Sequence, residues 1–154
     1  MNDLVEILLV DDNPSDVELT LYVLSRRRLA DRIPDGIKVV HDGAEALEFI
    51  FCTGAYADRD IHNPPKMLLL DLKLPKVDGL EVLRRAKADP RTRAIPIIVF
   101  SSSWEDRDRR QARELGAHSY LVKPVDFEQF LKAIRALGMF WAIVNEPPPA
   151  KAAK

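Results

Sequence analysis

The chain has 154 residues, of which 47% are hydrophobic and 31% are charged, and its formal net charge at pH 7 is −1. This composition is typical of a globular domain, and the small net charge gives no electrostatic reason to expect binding to nucleic acid or to an anionic membrane. The single cysteine excludes an internal disulfide framework and favours a reducing compartment. Because no apolar run approaches the roughly 20 residues of a membrane span, we expect a single-domain cytoplasmic protein.

Five short apolar runs, each followed by an amphipathic segment, organise the chain. Uninterrupted apolar runs are typical of strands that are buried on both faces, as in a parallel sheet. We predict such strands at residues 7–10, 37–40, 67–71, 95–100 and 119–122. The alternation of strands with helices predicts an α/β fold in which helices cover both faces of the sheet.

Capping and turn residues suggest where the later helices begin and end. Ser103, with Asp106 three residues further on, predicts a capped helix that runs through Leu115 and is stopped by Gly116. Residues 53–66 form a long polar loop before the third strand. Loops of this length are often functional, so this one is either a partner-facing insertion or an ordinary surface loop.

Polar side chains follow four of the five predicted strands. Asp11 and Asp12 follow the first strand, Asp71 ends the third, Ser101 ends the fourth and Lys123 follows the fifth. Because the carboxyl ends of parallel strands share one edge of the sheet, the three carboxylates are expected to converge there. Two unit charges 4 Å apart repel by about 4 kcal/mol at an effective dielectric near 20. Lys123 offsets only part of this repulsion, so the site requires a cation or a proton.

A hard divalent ion suits a site that is rich in carboxylate oxygens. Mg²⁺ is the predicted ion because it keeps part of its water shell and accepts phosphate oxygens. With Mg²⁺ and Lys123 in place, a phosphoryl group on Asp71 would have its negative oxygens neutralised. Carboxylates act as nucleophiles in aspartyl-phosphate chemistry, and positioning and charge stabilisation dominate such transfers. The residues therefore predict phosphoryl capture on Asp71.

Taken in order, these motifs resemble the receiver domain of bacterial two-component response regulators, from residue 7 to about residue 137. The matching pieces are Asp11-Asp12, Asp71, Leu74-Pro75 with Asp78-Gly79, Ser101, and Lys123-Pro124. The resemblance implies a flavodoxin-like doubly wound five-stranded parallel sheet of order 2-1-3-4-5 with five helices. It also implies that the phosphoryl group comes from a phosphohistidine on a sensor histidine kinase.

A narrower resemblance concerns the kinase partner. The long loop of residues 53–66, the His41-Asp42-Gly43 motif and the stand-alone length are similar to those of receivers that partner phytochrome-type sensor kinases.

The family resemblance also implies a role for each residue of the metal site. Asp12 and Asp71 would bind Mg²⁺ together with the backbone carbonyl of Lys73, and Asp11 would orient a metal-bound water. The residue at position 73 also tunes the hydrolysis of the acyl phosphate in this family, as does the residue at position 103.

The resemblance implies that Ser101 and Tyr120 transmit the phosphorylation signal. Ser101 would hydrogen-bond to the phosphoryl group, Lys123 would pair with it, and Tyr120 would turn inward. This change would alter the surface formed by the fourth helix, the fifth strand and the fifth helix. The Lys123–Pro124 peptide bond would be cis. From the residues alone, Ser101 is also interpretable as a strand terminator and Tyr120 as a packing aromatic.

Two other functions compete with this one. A phosphatase with an aspartyl-phosphate intermediate usually carries a second acid two residues after its nucleophile, where this chain has Lys73. We therefore expect no enzyme activity beyond the phosphorylation and dephosphorylation of Asp71 itself. A degenerate receiver that acts as a constitutive binding module is disfavoured by the complete acidic set.

The C-terminal segment departs from the alternating pattern. We expect the receiver domain to span residues 1–138, followed by an apolar and then proline-rich arm over residues 139–154, with no separate output domain. The apolar side chains either fold back onto the domain or pack across a second copy in a homodimer, the interpretation that we favour. They are Phe140, Trp141, Ile143 and Val144.

Overall fold

The structure, a computed structural model, describes residues 7–26, 37–102, 105–124 and 126–137. Within these ranges five parallel strands form one sheet in the order β2-β1-β3-β4-β5. They are β1 (Ile7–Val10), β2 (Ile37–Val40), β3 (Met67–Asp71), β4 (Ile97–Ser101) and β5 (Ser119–Val122). The described helices are α1 (Pro14–Arg26), α2 (Gly43–Phe51), α3 (Gly79–Ala88), α4 (Asp106–Glu114) and α5 (Phe127–Leu137). The predicted flavodoxin-like fold and its strand order are confirmed.

Alternate side chains of the central strands enter two separate cores. On one face of the sheet, Leu9, Leu69 and Phe100 belong to a buried cluster with Val17 of α1 and Phe130 of α5. The other face carries the intervening side chains, which form a second cluster with residues of α2, α3 and α4. Full burial of one large apolar side chain stabilises a fold by about 1.5–3 kcal/mol. The two cores therefore hold the carboxyl ends of β1, β3 and β4 firmly in place.

The fourth strand begins later than predicted. It starts at Ile97 rather than Ile95, because Pro96 has no N–H to donate to a neighbouring strand. The carbonyl of Pro96 still accepts a hydrogen bond from the Leu68 N–H at 2.9 Å, so β3 and β4 remain joined at that point.

The helix α4 also begins differently from the prediction. Its N-cap is Glu105, which makes no side-chain capping hydrogen bond, and Ser103 lies outside the described residues. Gly116 has a φ of 106°, a left-handed conformation that glycine adopts without steric cost. The predicted stop at Gly116 is therefore confirmed, and the described helix begins at Asp106 behind Glu105.

The loop between α2 and β3 packs against α2. A 3₁₀ turn spans Gly54–Tyr56, and the Tyr56 hydroxyl donates to Glu45 Oε2 at 2.7 Å. Burial, together with this hydrogen bond, raises the pKa of Tyr56 to about 12. The Tyr56 ring lies edge-on to Phe49, and the Arg59 guanidinium lies 3.8 Å from the centre of the Phe49 ring. The first part of the loop thus extends the α2 layer, and a partner-facing role for the loop stays a prediction.

The predicted C-terminal arm lies beyond the last described helix. Its four apolar residues, Phe140, Trp141, Ile143 and Val144, lie outside the described residues. The domain boundary at residue 138 and the arm's part in dimerisation therefore stay predictions. Among the helices that the structure describes, none is long and apolar enough to cross a membrane.

Candidate functional site

The carboxyl ends of β1 and β3 bring three carboxylates together. Asp71 is the last residue of β3, and Asp11 and Asp12 follow β1 directly. Because Val10 pairs with Leu70 across the two strands, Asp11 and Asp71 lie side by side. One carboxylate oxygen from each of the three acids lies within 4.8 Å of the other two. The convergence expected from the strand ends is present.

Lys123 reaches into this acidic cluster from the end of β5. Its Nζ lies 3.2 Å from Asp71 Oδ2 and 3.0 Å from Asp11 Oδ2. The Lys123 N–H donates to the Ser101 carbonyl at 2.8 Å, so the pairing of β4 with β5 continues up to the lysine. The Lys123–Pro124 peptide bond is cis, as the resemblance implied. The lysine thus supplies the one positive charge that contacts the cluster among the described residues.

A carboxylate outside the three-acid cluster also contacts Lys123, and the strand-end argument does not select it. Asp16 lies in the first turn of α1, and its Oδ2 accepts a hydrogen bond from Lys123 Nζ at 2.9 Å. Asn13 caps this helix, because its side chain accepts from the N–H groups of Ser15 and Asp16 at 2.9 and 3.1 Å. An acid in the first turn of a helix interacts favourably with the helix dipole, which is sufficient to explain its presence in the sequence. Its contact with Lys123 follows only from the direction in which α1 crosses the sheet.

The cluster alters the protonation of its members. Asp71 is only 5% exposed, and this burial raises its pKa to about 6. The nearby Lys123 charge lowers the pKa of Asp71, and the Asp11 charge raises it, but burial has the largest effect. Asp71 Oδ1 also accepts from the Lys73 N–H at 3.3 Å. Burial alone would lower the pKa of Lys123, but Asp16, Asp11 and Asp71 together raise it above its ordinary value. At neutral pH the lysine is therefore charged and Asp71 is mostly ionised.

The donor atoms fit a hard divalent cation. Asp11 Oδ1 accepts from the Asn13 N–H at 3.0 Å. Asp11 Oδ2 is buried and has no hydrogen bond from the described residues, although Lys123 Nζ lies within ion-pair distance of it. A buried carboxylate oxygen of this kind calls for a further partner. Mg²⁺ is usually held by one or two carboxylates and several waters, and the three acids offer such a set of ligands.

The two predicted switch residues lie at different depths. Ser101 ends β4 and is fully buried. It is one residue beyond Phe100, which pairs with Asp71, so Ser101 lies at the same edge of the sheet as the acids. Tyr120 on β5 is half-buried against the core on the α4 side. The Arg109 guanidinium of α4 lies 4.9 Å from the centre of its ring. Tyr120 therefore packs between β5 and α4, and its movement on phosphorylation stays a prediction.

The loop between β3 and α3 is tied to the N-terminus of α2. The Gly43 N–H donates to the Pro75 carbonyl at 3.2 Å, and Lys76 Nζ lies 3.6 Å from Asp42 Oδ2. Asp42 is also the N-cap of α2. In the sequence, only the family resemblance links Asp42 and Gly43 to function. In the structure, these two residues position the loop that follows Asp71.

Comparison with known proteins places this geometry in a family. The chain matches the response regulator receiver domain over residues 7–135. It is similar to a solved structure of the bacteriophytochrome response regulator AtBRR, with 48% identity, a TM-score of 0.79, and coverage of 94% of this chain and 100% of that chain. It is 36% identical over 142 residues to the probable methanogenesis regulatory protein FilR2 of Methanothrix harundinacea, covering 92% of this chain and 86% of FilR2.

A third relative bears on the metal. The response regulator Rcp1 of Synechocystis sp. is 33% identical over 136 residues, covering 88% of this chain and 87% of Rcp1. A solved structure of Rcp1 is of its Mn²⁺-bound form; it has a TM-score of 0.67 and 30% identity, and covers 92% of this chain and 96% of that chain. A relative of similar length therefore binds a divalent cation.

The family match covers the whole of the site. It runs from the first residue of β1 into α5, so all five strands, the three clustered acids and Lys123 lie inside it. The acids and the lysine lie at the sheet edge where the strand-end argument placed them. This chain belongs to the response regulator receiver domain family.

Proposed function

We propose that the chain accepts a phosphoryl group on Asp71 from a phosphohistidine of a sensor kinase and so serves as the response regulator of a two-component phosphorelay. The observation that carries this proposal is the contact between the buried Asp71 carboxylate and the Lys123 ammonium within a cluster of three acids. Such a cluster offers a nucleophile and a countercharge for phosphoryl oxygens at one point.

The transfer uses the ionised carboxylate of Asp71. A carboxylate oxygen attacks the phosphorus, the P–N bond of the donor breaks, and its electron pair stays on the imidazole nitrogen of the donor. Because the pKa of Asp71 is about 6, the nucleophilic form dominates at neutral pH. The Lys73 N–H orients the carboxylate through Oδ1, and Lys123 pairs with the phosphoryl oxygens. We expect no catalysis beyond the gain and loss of this group.

Mg²⁺ completes the proposed site. Asp12, Asp71 and the carbonyl of Lys73 would hold the ion, and Asp11 would orient one of its waters. When bound, the ion supplies positive charge beside the phosphoryl oxygens.

The signal is proposed to leave the site through β4 and β5. The Ser101 hydroxyl hydrogen-bonds to the phosphoryl group, and Tyr120 then turns inward. The contact of Arg109 with the Tyr120 ring couples such a turn to α4, and we propose that the surface of α4, β5 and α5 changes with it. This is the surface that we propose the downstream partner reads.

We further infer that the phosphoryl donor is a phytochrome-type sensor kinase. Receiver domains act with sensor histidine kinases, and the similarity to a bacteriophytochrome response regulator at 48% identity over the whole of that chain supports the narrower choice.

Intact-mass analysis after incubation with acetyl phosphate and Mg²⁺ tests the phosphoacceptor. The wild-type chain is expected to gain the mass of one phosphoryl group, and Asp71→Asn is expected to gain none, because the amide is not a nucleophile for this reaction. Asp58→Asn, a change at an exposed loop aspartate, is the control and should behave as wild type. An adduct that persists in Asp71→Asn would refute the proposal. Repeating the assay with an autophosphorylated bacteriophytochrome kinase tests the partner.

A homodimer through the C-terminal arm is also proposed, on the basis of its apolar side chains. Light scattering of the full chain is expected to give the mass of a dimer, and a chain truncated after Gly138 is expected to give that of a monomer. The arm removes apolar surface from water on dimerisation. A mass that truncation leaves unchanged would contradict this role. The residues concerned are Phe140, Trp141, Ile143 and Val144.

A further inference from the structure

The ammonium of Lys123 is shared among three carboxylates. Its Nζ lies 2.9 Å from Asp16 Oδ2, 3.0 Å from Asp11 Oδ2 and 3.2 Å from Asp71 Oδ2. A lysine ammonium has three N–H donors. Lys123 donates to Asp16 and Asp71, and its ammonium also lies within ion-pair distance of the Asp11 carboxylate. A phosphoryl oxygen that pairs with Lys123 therefore competes with these carboxylates for the ammonium.

The three acids differ in how easily they release the lysine. The side chains of Asp11 and Asp71 are 1% and 6% exposed, whereas that of Asp16 is 35% exposed. A carboxylate that leaves an ion pair is stabilised by water only if water reaches it. Asp16 is also the acid that stands outside the three-carboxylate cluster. It is therefore the partner that Lys123 can exchange for a phosphoryl group.

We propose that Asp16 is a positioning residue which holds Lys123 beside Asp71 and competes with the phosphoryl group for its ammonium. This role rests on the proposed function of Asp71 and adds a determinant of how strongly the phosphorylated state is held. The Asp16 carboxylate opposes the anionic phosphoryl group in two ways, because it occupies an N–H donor of Lys123 and adds a negative charge near the site. The same negative charge favours a divalent cation at Asp11, Asp12 and Asp71.

Opposite changes in cation and anion affinity distinguish this role from a structural one. In Asp16→Asn the competing charge is absent, so the affinity for an anion at Asp71 should rise while the affinity for Mg²⁺ should fall. A variant whose site is merely distorted should lose affinity for both. The size of each change is expected to be about three- to tenfold, given a charged hydrogen bond that is partly exposed.

Calorimetric titration of the full chain provides the test. Mg²⁺ is titrated first, and beryllofluoride, an anionic phosphoryl analogue, is then titrated at saturating Mg²⁺ into wild type, Asp16→Asn and Asp16→Glu. Glu18→Gln is the matched control, since it removes one negative charge from an exposed position on the same helix. Asp16→Asn is expected to bind beryllofluoride more tightly and Mg²⁺ more weakly, Asp16→Glu to return toward wild type, and Glu18→Gln to match wild type.

The contrary outcomes separate the two proposals. If wild type binds both ligands and Asp16→Asn binds both equally well or both more weakly, the role of Asp16 is overturned and that of Asp71 stands. Equal effects of Asp16→Asn and Glu18→Gln would likewise overturn it, since net charge would then explain the change. If wild type binds neither ligand, the proposed function itself fails.

Discussion

A Gly43→Ala variant is expected to lose about 1–3 kcal/mol of unfolding free energy, because the added methyl group overpacks the site. It is also expected to bind Mg²⁺ at least about ten times more weakly, since residues that orient metal ligands affect metal affinity to this extent. A Cβ on Gly43 would collide with the backbone carbonyl of Val77 and lie 2.6 Å from its carbonyl carbon. Backbone atoms cannot rotate away as a side chain does. The loop between β3 and α3 must therefore move as a unit, and this loop carries Lys73, whose carbonyl is the proposed metal ligand.

Thermal or urea unfolding and Mg²⁺ titration measure the two effects separately. Gly116→Ala is the matched control, because its φ of 106° makes alanine unfavourable there as well. Gly116 follows α4 and precedes β5, at the edge of the sheet opposite the acids. It should lose stability and keep its Mg²⁺ affinity. If Gly43→Ala also keeps its Mg²⁺ affinity, the loop does not depend on its tie to α2.

Asp71→Asn is expected to stabilise the metal-free protein by about 3 kcal/mol at pH 8, on the scale of 1.36 kcal/mol per pKa unit. The pKa of Asp71 is about 6 in the folded chain, against 3.8 for an unperturbed aspartate. Between these values the folded chain retains a proton that the unfolded chain has released. Protonation therefore favours folding, and the stability of the wild type falls as the pH rises through this window. Asparagine does not titrate and avoids the loss.

Urea unfolding in EDTA at several pH values checks this expectation. The advantage of Asp71→Asn over wild type should be full above pH 7, shrink between pH 6 and pH 4, and vanish below pH 4. Mg²⁺ should restore stability to the wild type, because binding to the folded state alone adds RT ln(1 + [Mg²⁺]/Kd). Asp58→Asn, at an exposed loop position, should differ from wild type by less than about 0.5 kcal/mol throughout. An Asp71→Asn chain less stable than wild type at pH 8 would contradict the account.

The sheet and its acidic edge were predictable because both rest on short-range sequence patterns. Fully apolar runs identify buried parallel strands, and polar residues directly after such runs must lie at the shared carboxyl edge. Asp11, Asp12, Asp71 and Lys123 were found in this way, and each lies in the cluster. Each polar residue at a strand end is weak evidence alone, but together they are sufficient to predict the site.

Residues that act from helices and loops were harder to foresee. Asp16 has an adequate local explanation as an acid in a first helical turn, and its contact with Lys123 joins residues far apart in the chain. Asp42 and Gly43 likewise gain their role from the loop that packs on them. The described α4 begins at Asp106 with Glu105 as its N-cap, later than the capping pattern of Ser103 and Asp106 predicts. Such errors arise where tertiary contacts, rather than local pattern, decide the outcome.

The two strands at the edges of the sheet also affect how readily the protein aggregates. The two outer strands, β2 and β5, are each four residues long, and an outer strand exposes unpaired backbone groups that invite pairing with another chain. Lys38 lies within β2, and Pro124 follows β5 by two residues. Short length, a lysine and a nearby proline all discourage the addition of a foreign strand. The short edge strands therefore limit aggregation through edge-to-edge strand pairing, so that copies of the chain would associate through side-chain contacts instead.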